Sequence, residues 1–189
     1  MKRRWVVVLW VILAGILVSC GEKSVSPSAT EGLSLYKNND YVVFEDLRCT
    51  SGQQLWQDFY NKVRRGETDT VKLVYYYTLQ KNNVSKELYE KEKTNYPQMF
   101  IGELSYDGSK YKITVRQSTK KEPDKVSEYK YLKRYTGKPT SSSSTFSSYE
   151  YYVLVNDVSV TWEQIEYGMF SSKWGDRIDH YSVYTNLIY

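Results

Sequence analysis

The single histidine of the chain is the first residue to consider for catalysis. It lies in the sequence Ile178-Asp179-His180-Tyr181, and an aspartate that orients an imidazole is a common arrangement for general-base chemistry. Neighbouring residues of a strand point to opposite faces of a sheet, however, so Asp179 is poorly placed to orient His180. We therefore expect a structural or surface histidine.

The residue types give little support for a metal site or a cofactor site. With one histidine and two cysteines, Cys20 and Cys49, the usual zinc ligand sets cannot be assembled. The sequence has neither the spacing of a calcium loop nor a phosphate-binding glycine loop nor a Gly-x-Ser-x-Gly motif. We predict no catalytic residue, no metal and no cofactor. A glycosidase needs only a pair of carboxylates, and such a pair has no sequence signature. A catalytic site of this kind is therefore an alternative that stays open.

The N-terminus has the pattern of an export signal. The basic residues of Met1-Lys2-Arg3-Arg4 precede an apolar run from Trp5 to Val18, and Ser19-Cys20-Gly21 follows. A basic start, an apolar stretch of about 7–15 residues and a small residue at the cleavage site are typical of a secretory signal peptide. A membrane-spanning helix needs about 20 apolar residues, and this run is shorter.

The residues Leu17, Val18, Ser19 and Cys20 resemble the lipobox of bacterial lipoproteins, whose cysteine receives a diacylglyceryl thioether before signal cleavage. The resemblance implies that residues 1–19 are a cleaved lipoprotein signal peptide and that Cys20 is the lipidated first residue of the mature protein. It also implies attachment to the extracytoplasmic face of a bacterial cell membrane through two or more acyl chains. The alternative is an ordinary signal peptide or an uncleaved anchor with Cys20 incidental.

Removal of this signal changes the charge balance. It takes away Lys2, Arg3 and Arg4 and no acidic residue, so that 26 basic and 22 acidic residues become 26 − 3 = 23 and 22. A charge so near neutrality gives no reason to expect nucleic-acid binding. Lipidation of Cys20 would leave Cys49 without an intramolecular partner, which excludes a disulfide-based fold; we expect Cys49 to be a partly buried structural residue.

The rest of the chain divides into a linker and one domain. Residues 20–40 begin with the lipidated cysteine and are polar from Gly21 to Ser34, which predicts a flexible tether. Residues 41–189 have the length of a single domain. The chain contains 20 tyrosines and only 5 phenylalanines, and tyrosine suits both half-buried strands and binding surfaces.

Hydrophobic periodicity predicts an α+β domain. Apolar residues from Leu55 to Val63 recur on one face of a helix, after possible capping residues Thr50 and Ser51. The sequence Thr161-Trp162-Glu163-Gln164 predicts a capping box and a short second helix. Alternating residues predict strands, and Asp107-Gly108 predicts a hairpin between two of them. The predicted strands are residues 71–79, 99–106, 110–116, 128–136, 149–155 and 178–188, and a short first strand at residues 41–44 stays open.

These elements predict an antiparallel sheet of five or six strands, with one main amphipathic helix packed on one face and a short second helix. The layout resembles cystatin-like and similar helix-on-sheet folds. The pattern Trp56-x-x-Phe59, then Val63-x-x-Gly66-x-x-Asp69-x-Val71-x-Leu73-Val74-x-Tyr76, then Leu104-x-Tyr106-Asp107-Gly108 resembles uncharacterised lipoproteins of low-GC Gram-positive bacteria. That resemblance implies a helix followed by a sheet, and no assigned activity.

Two tyrosine clusters are candidates for a binding surface. Tyr75-Tyr76-Tyr77 and Tyr149-Glu150-Tyr151-Tyr152 must each show at least one ring to each face of a strand. Exposed aromatic patches often mark recognition surfaces. We take Tyr76 and Tyr152 as the candidate surface, the alternative being rings that cover the sheet without a ligand.

The sequence thus favours a membrane-anchored, non-enzymatic binding lipoprotein with an envelope protein or a glycan as its partner. Two alternatives stay open. One is an envelope-directed hydrolase that uses a carboxylate pair, and the other is a secreted inhibitor or immunity-type protein.

Overall fold

The computed structural model of the chain describes residues 29–37, 40–139 and 144–189. The predicted signal peptide, the lipobox and Cys20 lie outside the described residues. Within those ranges the fold is α+β, with four α-helices and nine strands. In chain order the elements are α1 (Ala29–Lys37), β1 (Tyr41–Glu45), β2 (Arg48–Ser51), α2 (Gln53–Arg64), β3 (Asp69–Tyr77), α3 (Lys86–Glu92), β4 (Gln98–Tyr106), β5 (Tyr111–Gln117), β6 (Lys125–Tyr129), β7 (Tyr131–Gly137), β8 (Ser148–Val155), α4 (Trp162–Phe170) and β9 (His180–Ile188).

The strands form two sheets, where the sequence predicted one. A six-stranded sheet has the order β2-β1-β3-β4-β5-β6, and a three-stranded sheet has the order β7-β8-β9. All neighbouring strands are antiparallel except β1 and β3, which are parallel. The predicted strand 128–136 is divided at Lys130 between the two sheets. Alternating polarity continues across such a bend, so periodicity alone does not detect it.

The two sheets also meet at their other edges. The backbone N–H of Cys49 in β2 donates to Asn186 Oδ1 of β9 at 3.3 Å. Close by, the N–H of Leu187 donates to the carbonyl oxygen of Leu47 at 3.1 Å. The predicted final strand, 178–188, therefore does not close the large sheet as expected; it lies in the small sheet and borders β2.

The main core lies between the inner faces of both sheets and α2. Trp56 and Phe59 of α2 are almost completely buried there. The ring of Trp56 lies 4.9 Å from that of Tyr152 in β8 and 4.9 Å from that of Tyr184 in β9, measured between ring centroids. Aromatic contacts of this kind add to the stabilisation from burial alone. The helix and the small sheet are thus joined by one aromatic cluster.

The other face of the large sheet is covered by α1. Leu33 of α1 is buried in a cluster with Val43, Val74, Tyr76 and Met99. The prediction of a flexible tether through residue 40 is therefore wrong for residues 29–37. A single buried leucine in a polar stretch gives too little periodicity to predict a helix. The stability of α1 comes from the apolar face of the sheet on which the helix packs.

The start of α2 also differs from the prediction. Thr50 and Ser51 belong to β2, and their hydroxyls donate to Glu45 Oε1 and to the carbonyl oxygen of Lys37 instead of capping the helix. Gly52 occupies the N-cap position with a φ of 77°. A Cβ there would lie 2.3 Å from the carbonyl oxygen of Tyr41, so only glycine fits.

The outer face of the small sheet is covered by α4. Val153, Val155, Val160 and Ile165 form a separate buried cluster between this helix and β8. The predicted capping box is present: Thr161 Oγ1 accepts from the N–H of Gln164, and Gln164 Oε1 accepts from the N–H of Thr161. Helices α1 and α4 consequently lie on opposite outer faces of the two-sheet core.

Candidate binding surface

Large exposed apolar side chains are concentrated on α4 and the turn that follows it. We call Tyr167, Met169, Phe170 and Trp174 the α4 surface. Phe170 is 82 % exposed and Trp174 is 80 % exposed. Aromatic side chains this exposed, and grouped in one short stretch of the chain, mark an interaction site more often than a scatter of single apolar residues does.

The helical period of α4 explains why these rings face outward. Ile165 and Gly168 point towards the small sheet and are buried. Tyr167 and Phe170 are three residues apart and therefore share the opposite face, along with Glu163 one turn earlier. The residues that hold the helix on the sheet thus determine which rings are exposed.

Close packing at Gly168 fixes the position of Trp174. A Cβ at Gly168 would lie 2.5 Å from the carbonyl oxygen of Asp176, so the turn Trp174–Asp176 touches the helix directly. Ser171 Oγ donates to Asp176 Oδ2 at 2.5 Å, and the N–H of Lys173 donates to Ser171 Oγ at 3.1 Å. Trp174 is therefore presented on a hydrogen-bonded turn beside the end of α4.

A half-buried ladder of rings continues the surface along the small sheet. Tyr149 stacks on Tyr151 with 4.8 Å between ring centroids, and Tyr151 stacks on Trp162 with 4.3 Å. Gly137 lies opposite Tyr149 on the neighbouring strand, and its missing side chain leaves room for the tyrosine ring. These tyrosines alternate with the buried Tyr152, as the strand period requires.

Two carboxylates lie among these rings. A shallow concavity of about 460 Å³ is lined by Glu163, Glu166, Tyr167, Phe170 and Ser171. Hydrogen bonds from its own backbone N–H and from the Thr161 hydroxyl keep the pKa of Glu163 below its ordinary value. Partial burial raises the pKa of Tyr149, and the nearby charges of Glu166 and Glu163 raise it further. The aromatic surface therefore carries negative charge at one end.

Positive charge is found at the other end. The guanidinium of Arg177 lies 4.7 Å from the centroid of the Trp174 ring, within cation–π range. Lys173 is the residue before Trp174 and is also exposed. The α4 surface thus runs from an acidic end to a basic end across exposed aromatic rings.

A larger cleft, which we call the large cleft, lies beside the turn between β1 and β2. It has a volume of about 730 Å³ and includes Glu45, Asp46 and Arg48 in its lining. Asp46 accepts hydrogen bonds from the N–H of Thr78 at 2.7 Å and from its hydroxyl at 2.5 Å. Arg48 lies 4.6 Å from the centroid of the Tyr189 ring. The charged groups of this cleft are therefore engaged by the protein itself.

The two tyrosines predicted as a binding surface are both buried. Tyr76 is 7 % exposed and lies under α1, and Tyr152 is 1 % exposed and lies in the main core. The prediction of an exposed surface at these residues is wrong, because each belongs to the face of its strand that another element covers. Tyr151, the neighbour of Tyr152, lies on the outer face of the small sheet. The sequence did not show which tyrosine of this cluster would face outward.

The residues considered for catalysis are separated as expected. His180 Nδ1 lies 2.8 Å from the carbonyl oxygen of Ile178, whereas Asp179 accepts a hydrogen bond from the Tyr129 hydroxyl at 3.2 Å. Cys49 is buried in the main core, and burial raises the pKa of its thiol. A buried protonated thiol is a poor nucleophile.

Among the described residues, no group of three or more histidine, cysteine, aspartate or glutamate side chains could hold a metal ion. In the same part of the chain, no helix has the length and apolar character needed to cross a membrane. Comparison with protein-family models, with curated proteins and with solved structures finds no match to this chain.

Proposed function

We propose that this protein is a lipoprotein anchored through Cys20 to the extracytoplasmic face of a bacterial membrane, and that it binds a partner through the α4 surface. The lipobox and the export signal support the location. The exposure of Phe170 and Trp174 carries the binding role. A chain gains solubility by covering such rings, so keeping them exposed is best explained by a partner that covers them.

The composition of the surface agrees with that of protein interfaces. Tyrosine, tryptophan, phenylalanine, methionine and arginine are enriched there, and tryptophan, tyrosine and arginine contribute most of the binding energy. The α4 surface and Arg177 contain all five residue types. Its fixed turn also lowers the conformational entropy that binding would otherwise cost.

The position of α4 suits a protein attached at its N-terminus. From Cys20 to Ala29 the chain has 29 − 20 = 9 residue steps, which reach at most about 30 Å when fully extended. The tether enters at α1, whereas α4 lies on the opposite outer face of the core. Anchoring through Cys20 would therefore leave the α4 surface free to meet partners in the envelope.

The carboxylates of the large cleft argue for binding over hydrolysis. A carboxylic acid that protonates a leaving group needs a raised pKa. Partial burial raises the pKa of Glu45, but hydrogen bonds from Lys37 and Thr50 outweigh it and leave the pKa below its ordinary value. Asp46 is held by Thr78 as an acceptor of two hydrogen bonds. The hydrogen bonds of Glu45 and Asp46 therefore stabilise the turn between β1 and β2.

Site-specific photo-crosslinking on intact cells tests the proposed binding role. A benzophenone amino acid replaces Phe170 in one full-length variant and Leu88 in a control variant. Leu88 is 44 % exposed and lies on a different helix, α3. We expect a discrete crosslinked protein from position 170 and none from position 88.

Three results would count against the proposal. Equal crosslinking from both positions would show that contact is unspecific, and no product from position 170 would show that the surface is unoccupied. A lipid adduct at position 170 would show that the rings contact the bilayer. The location is tested separately by fatty-acid labelling, which Cys20→Ser should abolish and Cys49→Ser should not.

A further inference from the structure

We infer that the partner of the α4 surface is a protein segment that presents lysine or arginine side chains; this inference rests on the proposed function. The acidic concavity supplies the argument. Glu163 and Glu166 line it together with the rings of Tyr167 and Phe170. Carboxylates beside aromatic faces are the groups that an ammonium or guanidinium ion prefers.

Glu163 carries a negative charge at neutral pH. Its pKa is lowered by donors at the start of α4, so the group stays ionised at neutral pH. The charge of Glu166 acts on both Tyr149 and Tyr151 and raises their pKa values in addition to the effect of burial. Negative potential therefore extends over the ring ladder as well as over Tyr167 and Phe170.

The same charges disfavour the bilayer as the occupant. Exposed rings beside basic residues, such as Trp174 beside Lys173 and Arg177, are also typical of proteins that insert into a membrane interface. Anionic lipid headgroups would, however, be repelled by Glu163 and Glu166 at the other end of the surface. The position of α4 opposite α1, where the lipid tether enters, also disfavours contact between the α4 surface and the bilayer.

A basic segment suits the acidic half of the surface and the exposed rings beside it. Its cations would reach the acidic concavity, and an apolar side chain beside them would cover Phe170 and Trp174. The pairing is one of charge complementarity around an apolar centre, which is how protein interfaces gain specificity. A glycan without positive charge would leave the two carboxylates uncompensated.

The test uses the full-length chain purified in detergent and a fluorescent 16-residue peptide with leucine and lysine at helical spacing. A second peptide has glutamate in place of every lysine. The protein variants are Glu163→Gln with Glu166→Gln, which remove charge and keep shape, and Glu87→Gln with Glu122→Gln as a matched control. Glu87 and Glu122 are exposed and outside the concavity.

We expect saturable binding of the lysine peptide, a loss of about tenfold in affinity from the paired change at residues 163 and 166, and little change from the control pair. Equal binding of the glutamate peptide, or equal losses from both pairs, would overturn the inference. The photo-crosslinked product from position 170 separates the two proposals. If it forms on cells and survives the change at residues 163 and 166, the inference fails and the binding role stands.

Discussion

The hydroxyl of Tyr75 donates a hydrogen bond of 2.8 Å to the carbonyl oxygen of Val183. The first residue lies in β3 of the large sheet and the second in β9 of the small one, so the bond joins the two sheets inside the core. Burial raises the pKa of Tyr75 well above its ordinary value, which keeps the hydroxyl protonated as a donor. The small sheet, and with it α4, is positioned partly by this contact.

Tyr75→Phe should therefore lower the free energy of unfolding by about 1–2 kcal/mol, because the ring is kept while the buried carbonyl of Val183 loses its donor. Urea denaturation measures the change. Tyr131→Phe, at a ring that is 39 % exposed, is the matched control and should have an effect within about 0.5 kcal/mol. Equal losses from the two variants would show that the buried bond contributes nothing of its own.

Alkaline pH should destabilise the protein between about pH 10 and about pH 12. Burial raises the pKa of Tyr111, Tyr129 and Tyr181 from 10.0 to about 12. The unfolded chain loses these protons near pH 10 while the folded one retains them, so their contribution to stability is complete below about pH 10 and declines towards about pH 12. Urea unfolding across this range should show the decline, and Tyr181→Phe should reduce its slope. A constant unfolding free energy would contradict the burial of these rings.

The turn between β1 and β2 contains a strained leucine. Asp46 has a φ of 45° and Leu47 a φ of 67°, in the left-handed region. Glu45 pairs with Arg48, so these are the two central residues of a tight hairpin, where positive φ is needed twice. Since a left-handed leucine costs about 1–2 kcal/mol, Leu47→Gly should raise the unfolding free energy by about 1 kcal/mol.

Leu88→Gly is the control for that substitution. Leu88 is similarly exposed but lies in the right-handed backbone of α3, where glycine is unfavourable by about 1 kcal/mol, so this variant should change in the opposite direction. A loss of stability from Leu47→Gly would mean that the leucine side chain contributes more than its backbone strain costs.

The packing of the Trp174 turn on α4 depends on Gly168. Gly168→Ala places a Cβ against the backbone of Asp176, and we expect a loss of about 1–3 kcal/mol together with a shift in Trp174 fluorescence as the turn moves away. Gly175→Ala, where a Cβ meets nothing within 4 Å, should change neither quantity. Identical behaviour of the two variants would show that the turn does not rest on the helix.

Local signals in the sequence predict much of the secondary structure. The capping box at Thr161 and Gln164 and the hairpin at Asp107-Gly108 are both present. Each depends on residues close together in the chain, whose hydrogen bonding or backbone freedom is independent of the tertiary fold. The strand periods of β3, β4, β5 and β8 were predicted for the same reason.

Tertiary contacts explain what the sequence did not predict. The separation into two sheets depends on a bend at Lys130 and on contacts between β2 and β9, which leave no periodic signal. The burial of Tyr76 depends on α1, a helix whose stability comes from packing through Leu33. The exposure of Phe170 follows from which face of α4 meets β8, and a helical pattern of nine residues with apolar groups on both faces does not determine it.

The central claim, that the α4 surface is the binding site, is tested most directly by removing its two most exposed rings. A full-length protein with the photo-crosslinker at Ser172, an exposed position between them, is compared with and without Phe170→Ala and Trp174→Ala. Leu88→Ala with Val126→Ala, at residues that are 44 % and 52 % exposed, is the control pair. We expect the crosslinked product to fall by about tenfold or more in the ring-deleted protein alone, with urea stability unchanged. A product of undiminished yield from that protein would contradict the account.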